Sequence, residues 1–182
     1  MHTTEDQTKS AYIPGLSRRV LRDPVLFLAF GFGSGLAKKA PGTFGTIPGI
    51  IVAWLIGLIS SLVLTPSSVL VSVLMLALIP FSVWICDSAS RRLGVHDYGG
   101  IVLDEIVGVL VPFMLLDITP ATLALAFLWF RFFDVLKPWP ISWIDRRVGG
   151  GLGIVFDDIL AGIFALAAML AMGLFVPQWI YS

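Results

Sequence analysis

The sequence predicts an all-α fold, a polytopic membrane helical bundle of about four to five spanning helices plus a short N-terminal interfacial or re-entrant helix. Three observations predict it: the composition, the lengths of the apolar segments and the placement of the basic residues. Apolar residues make up 57% of the 182 residues and charged residues 13%, whereas soluble domains carry about 25% charged residues. The mean hydropathy is +0.93.

Charge and cysteine content exclude several classes of protein. The formal net charge is zero and the sequence shows no basic face, so a nucleic-acid partner is not expected. The single cysteine, Cys86, excludes an internal disulfide. Because it lies in an apolar run, we interpret it as a packing residue. The sequence does not predict the oligomeric state.

The first 36 residues are not expected to cross the membrane. Residues 1–23 are polar and predict a flexible cytoplasmic tail, and residues 24–182 are assigned to a single membrane-embedded helical domain. Residues 25–36 are apolar and rich in glycine. As a helix they would extend about 18 Å, well short of a hydrocarbon core of about 30 Å. This segment is therefore predicted to lie at the membrane interface or to form a re-entrant helix that enters and leaves the membrane on the same side.

Five longer apolar segments follow, and each is predicted to span the membrane. They are residues 47–64, 69–86, 101–116, 121–136 and 154–176. Pro80 predicts a kink in the second segment, which a membrane helix tolerates. The third segment is short, and we expect it to begin upstream, near Tyr98.

The basic residues predict the orientation of the bundle. All twelve lysines and arginines lie in the tail, at 38–39, at 91–92 or between 131 and 147. The opposing turns, at 65–68 and 117–120, contain none. Five crossings from a cytoplasmic N-terminus place every basic residue on the cytoplasmic side, in agreement with the positive-inside rule. This arrangement needs the segment 25–36 not to cross, which agrees with its length.

The same topology places five carboxylates at one depth, near the cytoplasmic ends of three segments. They are Asp104, Glu105, Asp134, Asp157 and Asp158. A charged side chain at membrane depth costs at least a few kcal/mol, so such residues indicate a functional site. Asp117 falls on the opposite side and is excluded as a partner.

This group of acids predicts a site for a divalent cation, Mg²⁺ or Mn²⁺. Like charges repel in a medium of low dielectric constant, and hard cations take oxygen ligands. Only His96 lies near the acids in the sequence, which disfavours zinc and iron. Adjacent acids on a helix point about 100° apart, so we expect one of each pair to bind metal while its neighbour orients it or binds a second ion. The favoured ligands are Asp104 or Glu105, with Asp134 and Asp158.

Basic residues beside the acids predict a phosphate site. Arg131, Asp134 and Lys137 follow one another at intervals of three residues and share a helix face, and Pro138 then ends the helix. Such a face suits a metal-bound phosphate, with acids toward the ion and bases toward the phosphate oxygens. The alternative is structural. The acids would act as helix caps or pair with nearby arginines, and Lys137 would extend its ammonium group to the membrane–water interface.

Glycine-rich sequence near the N-terminus offers a second means of binding phosphate. Alternating glycines at 31–35 precede Pro41, Gly42 and Thr43. Successive backbone N–H groups in such loops bind anions. Close helix packing is an equally good interpretation of these glycines.

A series of motifs connects the glycine-rich segment to the acids. In chain order they are Gly31-Phe-Gly-Ser-Gly with Pro41-Gly-Thr, Val95-His-Asp, Ile101-Val-Leu-Asp-Glu, Arg131-Phe-Phe-Asp-Val-Leu-Lys-Pro-Trp-Pro-Ile, Asp145-Arg, and residues 149–158 with Ala161-Gly162. Together they resemble the phosphatidylglycerophosphatase A family. The resemblance spans residues 25–165 and leaves the polar tail outside it.

The resemblance implies a Mg²⁺-dependent phosphatase of the bacterial inner membrane that hydrolyses phosphatidylglycerophosphate to phosphatidylglycerol and phosphate. With the residues above, it leads us to expect a cytoplasm-facing site that opens sideways to the bilayer, with Mg²⁺ among the five acids. The phosphate would be bound by Arg131, Lys137, Arg146, Gly42 and Thr43. His96, Asp97 or one of the paired acids would act as general acid or base. Direct attack by water and a covalent phospho-aspartate both remain open.

Two other classes of protein are alternatives. Acids within the membrane also mark ion pathways, which is the interpretation as an ion-coupled transporter or channel. Transporter sites usually lie near the midplane between internal repeats, whereas these acids gather at one face and the sequence contains no repeat. A structural membrane subunit would leave five clustered acids unexplained.

Overall fold

The computed structural model describes residues 13–95 and 98–173, and every regular element among them is helical. The α-helices are α1 Leu16–Arg22, α2 Pro24–Ala29, α3 Pro41–Val63, α4 Ser67–Leu93, α5 Leu103–Gly108, α6 Pro120–Leu136, α7 Ile141–Arg147 and α8 Gly150–Gly173. Two 3₁₀ segments, Gly31–Leu36 and Val111–Met114, lie between them. The prediction of an all-α fold is confirmed.

Three helices, α3, α4 and α8, are long and apolar enough to cross a membrane by length and composition. They correspond to the first, second and fifth predicted spans, and α4 continues through Pro80. The described residues therefore contain fewer candidate spans than the four or five expected. Helix α6, which corresponds to the fourth, has 17 residues and extends about 25 Å, somewhat less than the hydrocarbon core.

The third predicted span is not one continuous helix. It consists of the short helix α5 and the 3₁₀ segment Val111–Met114. Pro112 removes a backbone donor and Gly108 is a poor helix former, so a regular helix is disfavoured here. Val107, Leu110 and Phe113 are completely buried. Irregular backbone at membrane depth is tolerated when protein surrounds it, and this segment is enclosed by α3, α4 and α8.

Glycines of α3 let this broken segment follow the helix closely. A Cβ at Gly45 would overlap Val102, and a Cβ at Gly57 would lie 3.0 Å from Cγ2 of Ile118. The two glycines are separated by about 18 Å along the helix. The broken segment thus passes through much of the depth of the bundle without forming a regular span.

The N-terminal residues pack against this bundle. Asp23 caps α2 by accepting hydrogen bonds from the N–H groups of Val25 and Leu26, with Pro24 at the first helical position. Helix α2 and the 3₁₀ segment after it are too short to span, as predicted for residues 25–36. Of the predicted tail, residues 16–22 form α1 and Val20 is completely buried. Residues 1–12 lie outside the described part of the chain.

Candidate active site

The ends of several helices meet at one end of the bundle. Helices α3, α5 and α8 begin there, and α6 and α7 end there. This convergence brings together side chains that are far apart in the sequence. Two ion-paired groups and two further carboxylates, Asp104 and Asp158, make up the site.

The first group is centred on Arg131 of α6. Its Nη1 lies 3.2 Å from Oε1 of Glu105 and 2.5 Å from Oδ2 of Asp134. The side chains of Arg131, Glu105 and Asp134 are only 16%, 12% and 13% exposed. Water screens such charges much less than it screens surface pairs, so these two ion pairs interact more strongly than exposed pairs would.

The first turn of α3 lies directly against this group. A Cβ at Gly42 would lie 2.9 Å from Nη1 and 3.0 Å from Nη2 of Arg131, and a Cβ at Gly45 would lie 2.5 Å from Oε2 of Glu105. A side chain at Gly42 would displace the ends of Arg131 and Glu105, and one at Gly45 would also overlap Val102. The positive end of the helix dipole therefore faces the ion pair, which places Gly42 in the site. Thr43 lies in the same turn, with its N–H donating to Ala40.

The second group is centred on Lys137, which ends α6. Its Nζ lies 2.7 Å from Oδ1 of Asp145 and 2.6 Å from Oδ2 of Asp157. Burial alone would lower the pKa of Lys137, but the charges and hydrogen bonds of Asp157 and Asp145 outweigh burial and raise the pKa above its usual value. Lys137 therefore stays positively charged.

The backbone of Lys137 is in the left-handed region, with φ 43°. This conformation costs a non-glycine residue about 1–2 kcal/mol. It ends α6 and turns the chain into α7, which carries Asp145. Strain of this kind is often retained at functional sites.

Asp158 of α8 is the carboxylate between these groups. It is 4% exposed, and its charge interacts with those of Asp134, Asp104, Asp157 and Glu105. Within residues 13–95 and 98–173, no basic side chain forms an ion pair with Asp158. The structure thus brings the five predicted acids together, with Asp158 facing the other four.

Close packing of α8 against α5 holds Asp158 in this position. A Cβ at Gly108 would lie 2.7 Å from the backbone oxygen of Asp158, and a Cβ at Gly162 would overlap the backbone oxygen of Gly108. Gly162 therefore permits the close approach of α5 to α8. Asp104, also buried, accepts a hydrogen bond from the N–H of Glu105 at 3.0 Å, but this contact does not cap α5, which begins after Val102 without a side-chain cap.

Three other predicted residues are not part of this arrangement. Arg146 is exposed at the end of α7 and forms no ion pair with the acids in the described chain. His96 and Asp97 lie outside the described residues, so their predicted role stays a prediction. In contrast, the sequence predicts no role for Asp145. It reaches Lys137 across a turn that contains two prolines, and no helical periodicity predicts such a contact.

The donor chemistry fits a hard cation, although the present geometry is not that of a metal centre. No three Asp, Glu, His or Cys side chains in the described ranges are arranged so that they could hold a metal ion. Arg131 and Lys137 bind three of the predicted ligands instead. Counting Asp145, six carboxylates face two basic side chains. This excess of buried negative charge favours a cation that binds oxygen ligands.

The family model and two relatives of this chain carry the same description. A family model described as "Phosphatidylglycerophosphatase A" matches residues 27–173. The chain is 38% identical to the Escherichia coli (strain K12) phosphatidylglycerophosphatase A, over 91% of this chain and 93% of that protein. It is 39% identical to the Haemophilus influenzae (strain ATCC 51907 / DSM 11121 / KW20 / Rd) phosphatidylglycerophosphatase A, over 86% of this chain and 93% of that protein.

A third relative has a different name. It comes from Bacteroides thetaiotaomicron and is provisionally named a phosphatidylinositol-3-phosphatase. It is 32% identical over 78% of this chain and 88% of its own length. No solved structure matches the chain significantly.

Proposed function

Because the chain belongs to the phosphatidylglycerophosphatase A family, and is therefore a phosphoric monoester hydrolase, we propose that it removes the terminal phosphate of phosphatidylglycerophosphate. The products are phosphatidylglycerol and inorganic phosphate. The observation that carries this proposal is the position of Arg131. It lies between Glu105 and Asp134, against the first turn of α3 and beside the buried acids.

We further propose that the reaction depends on Mg²⁺. Asp104, Asp158 and one or more of Glu105, Asp134 and Asp157 would hold the ion. When bound, Mg²⁺ would neutralise charge on the phosphate oxygens and make the phosphorus a better electrophile. The oxygen-only donor set and the excess of acids over bases support this assignment.

Basic groups of the chain would position the phosphate. Hydrolysis of a phosphomonoester needs mainly positioning and charge stabilisation. The guanidinium of Arg131 suits two phosphate oxygens at once, and Lys137, held by Asp145 and Asp157, supplies a fixed positive charge. The positive end of the α3 helix dipole adds a third source of positive potential.

The chemical step transfers the phosphoryl group to water. A water oxygen bonds to phosphorus while the bond from phosphorus to the glycerol oxygen breaks. A carboxylate accepts the proton of the attacking water, and the glycerol oxygen leaves as a hydroxyl after gaining a proton. Asp158 has no basic partner among the described residues, so we assign it to this reaction centre.

We also propose that the site faces the cytoplasm from the bacterial inner membrane. Arg131, Lys137 and the arginines that end α4 and α7 all lie at the same end of the bundle as the site. The positive-inside rule places this end in the cytoplasm. The alternative of an ion-coupled transporter has no support from the reported relatives.

Phosphate release from three lipids tests the proposed substrate. Purified protein in detergent with Mg²⁺ is expected to release phosphate from phosphatidylglycerophosphate at least about tenfold faster, in kcat/KM, than from phosphatidylinositol 3-phosphate or phosphatidic acid. Folding is checked by thermal unfolding of the same preparation. Faster release from phosphatidylinositol 3-phosphate would contradict the proposal and assign the activity named for the third relative. No release from any of the three lipids would contradict the proposed chemistry as a whole.

A further inference from the structure

An apolar groove lies on the outer surface of the bundle, between α3 and α6. Its volume is about 370 Å³, and all of its lining side chains are apolar, with Ile47 and Ile51 on one side and Ala124, Phe127 and Leu128 on the other. Ile51 is 49% exposed and Leu128 61% exposed. The groove exists because α6 packs chiefly on α8 and only lightly on α3.

One end of this groove leads to the candidate active site. Arg131 lies four residues beyond Phe127 and three beyond Leu128, so all three share one face of α6. On α3, Gly42 lies about 7 Å before Ile47 along the helix axis, and it contacts the Arg131–Glu105 pair. The groove and the ion pair are therefore consecutive parts of one seam.

We propose that this groove holds an acyl chain of the phospholipid substrate and so places its phosphate at Arg131. This inference rests on the proposed function, because the occupant must carry a phosphate that reacts at the end of the seam. The lining offers hydrocarbon contacts and no hydrogen bonds, which suits an acyl chain and excludes a headgroup. A lipid elsewhere on the bundle surface would not have its phosphate aligned with Arg131.

The groove contributes positioning rather than hydrophobic affinity. Lipid tails are as apolar as leucine, so moving a chain from bilayer to groove has little hydrophobic driving force. Packing against α3 and α6 instead fixes the depth and direction of the chain. A displacement of about 1 Å at a reacting centre can cost about 100-fold in rate, so chain placement here controls turnover.

Filling the groove tests this inference. Ala124 is exposed in the groove, and Ala77 is exposed on α4 outside it, so Ala124→Trp and Ala77→Trp form a matched pair. Each variant is assayed on phosphatidylglycerophosphate with long acyl chains and on the same headgroup with chains too short to fill the groove. Ala124→Trp is expected to lower kcat/KM for the long-chain lipid about tenfold or more, and to change the short-chain value less than about twofold. Ala77→Trp should change neither.

Equal losses on both lipids, or no loss on either, would overturn the groove proposal while leaving the phosphatase activity established. Absence of activity in the wild-type protein on both lipids would instead overturn the proposed function, and the groove proposal with it. If Ala124→Trp does not fold in detergent, Leu128→Ala replaces it. This variant widens the groove and is expected to lower kcat severalfold for the long-chain lipid only, because the chain is held less firmly in place. An unchanged ratio of the two kcat values would overturn the proposal.

Discussion

Replacing Asp158 with Asn is expected to lower phosphate release at least about 100-fold while the protein stays folded. Asp158 is buried among four other acids and lacks a basic partner within the described residues. Asn keeps the size of the side chain but removes its charge, so it can neither accept the proton of the attacking water nor hold a cation well. The measurement is kcat/KM on phosphatidylglycerophosphate at saturating Mg²⁺.

A stability measurement separates this chemical role from a structural one. Removing one of several mutually repelling charges is expected to leave the thermal unfolding midpoint unchanged or to raise it, as at many functional sites. The control is Asp117→Asn, at an exposed acid outside the candidate site, which should alter neither activity nor midpoint. A clear fall in the unfolding midpoint of Asp158→Asn would mean that Asp158 stabilises the fold.

Replacing Arg131 with Lys is expected to lower kcat/KM about 100-fold. Lysine keeps the positive charge between Glu105 and Asp134, so the fold should persist. It cannot present two parallel N–H groups to a phosphate, however, and a bidentate contact is lost. Arg91→Lys is the matched control, because Arg91 is exposed and pairs with Asp87 on α4.

The alanine variant of Arg131 should behave differently. It leaves two largely buried carboxylates without their cation, and breaking a buried pair costs roughly 3–5 kcal/mol of folding free energy. We therefore expect Arg131→Ala to unfold at a lower denaturant concentration, whereas Arg131→Lys remains near the wild type. Full activity in Arg131→Lys would show that Arg131 acts only as a structural counter-ion.

The sequence predicts the end of the bundle at which the acids meet, because membrane topology restricts where a charge can lie. Apolar length and cation placement together put Asp104, Asp134 and Asp158 at one depth. The structure places these three side chains near one another. The predicted location of the acids needs only the composition and the direction of each segment, and both can be read from the sequence.

Tertiary contacts are the part that the sequence does not predict. The apolar run at 101–116 has the composition of a span, and only the surrounding helices explain why it can break at Gly108 and Pro112. Asp145 meets Lys137 because the chain reverses after α6, and a reversal carries no periodic signal. The groove between α3 and α6 reflects light packing between two apolar helices. Apolar residues that face lipid and those that face a groove are alike in sequence.

Removal of divalent cations tests the central claim most directly. Protein treated with a chelator is expected to release no phosphate from phosphatidylglycerophosphate above background, and added Mg²⁺ should restore release to a saturating level. Mg²⁺ at about 100 times its dissociation constant should also stabilise the wild-type fold by about 2.7 kcal/mol, and this gain should be lost in Asp158→Asn. Full release from chelator-treated protein, or equal stabilisation of both proteins by Mg²⁺, would contradict a cation site among these acids.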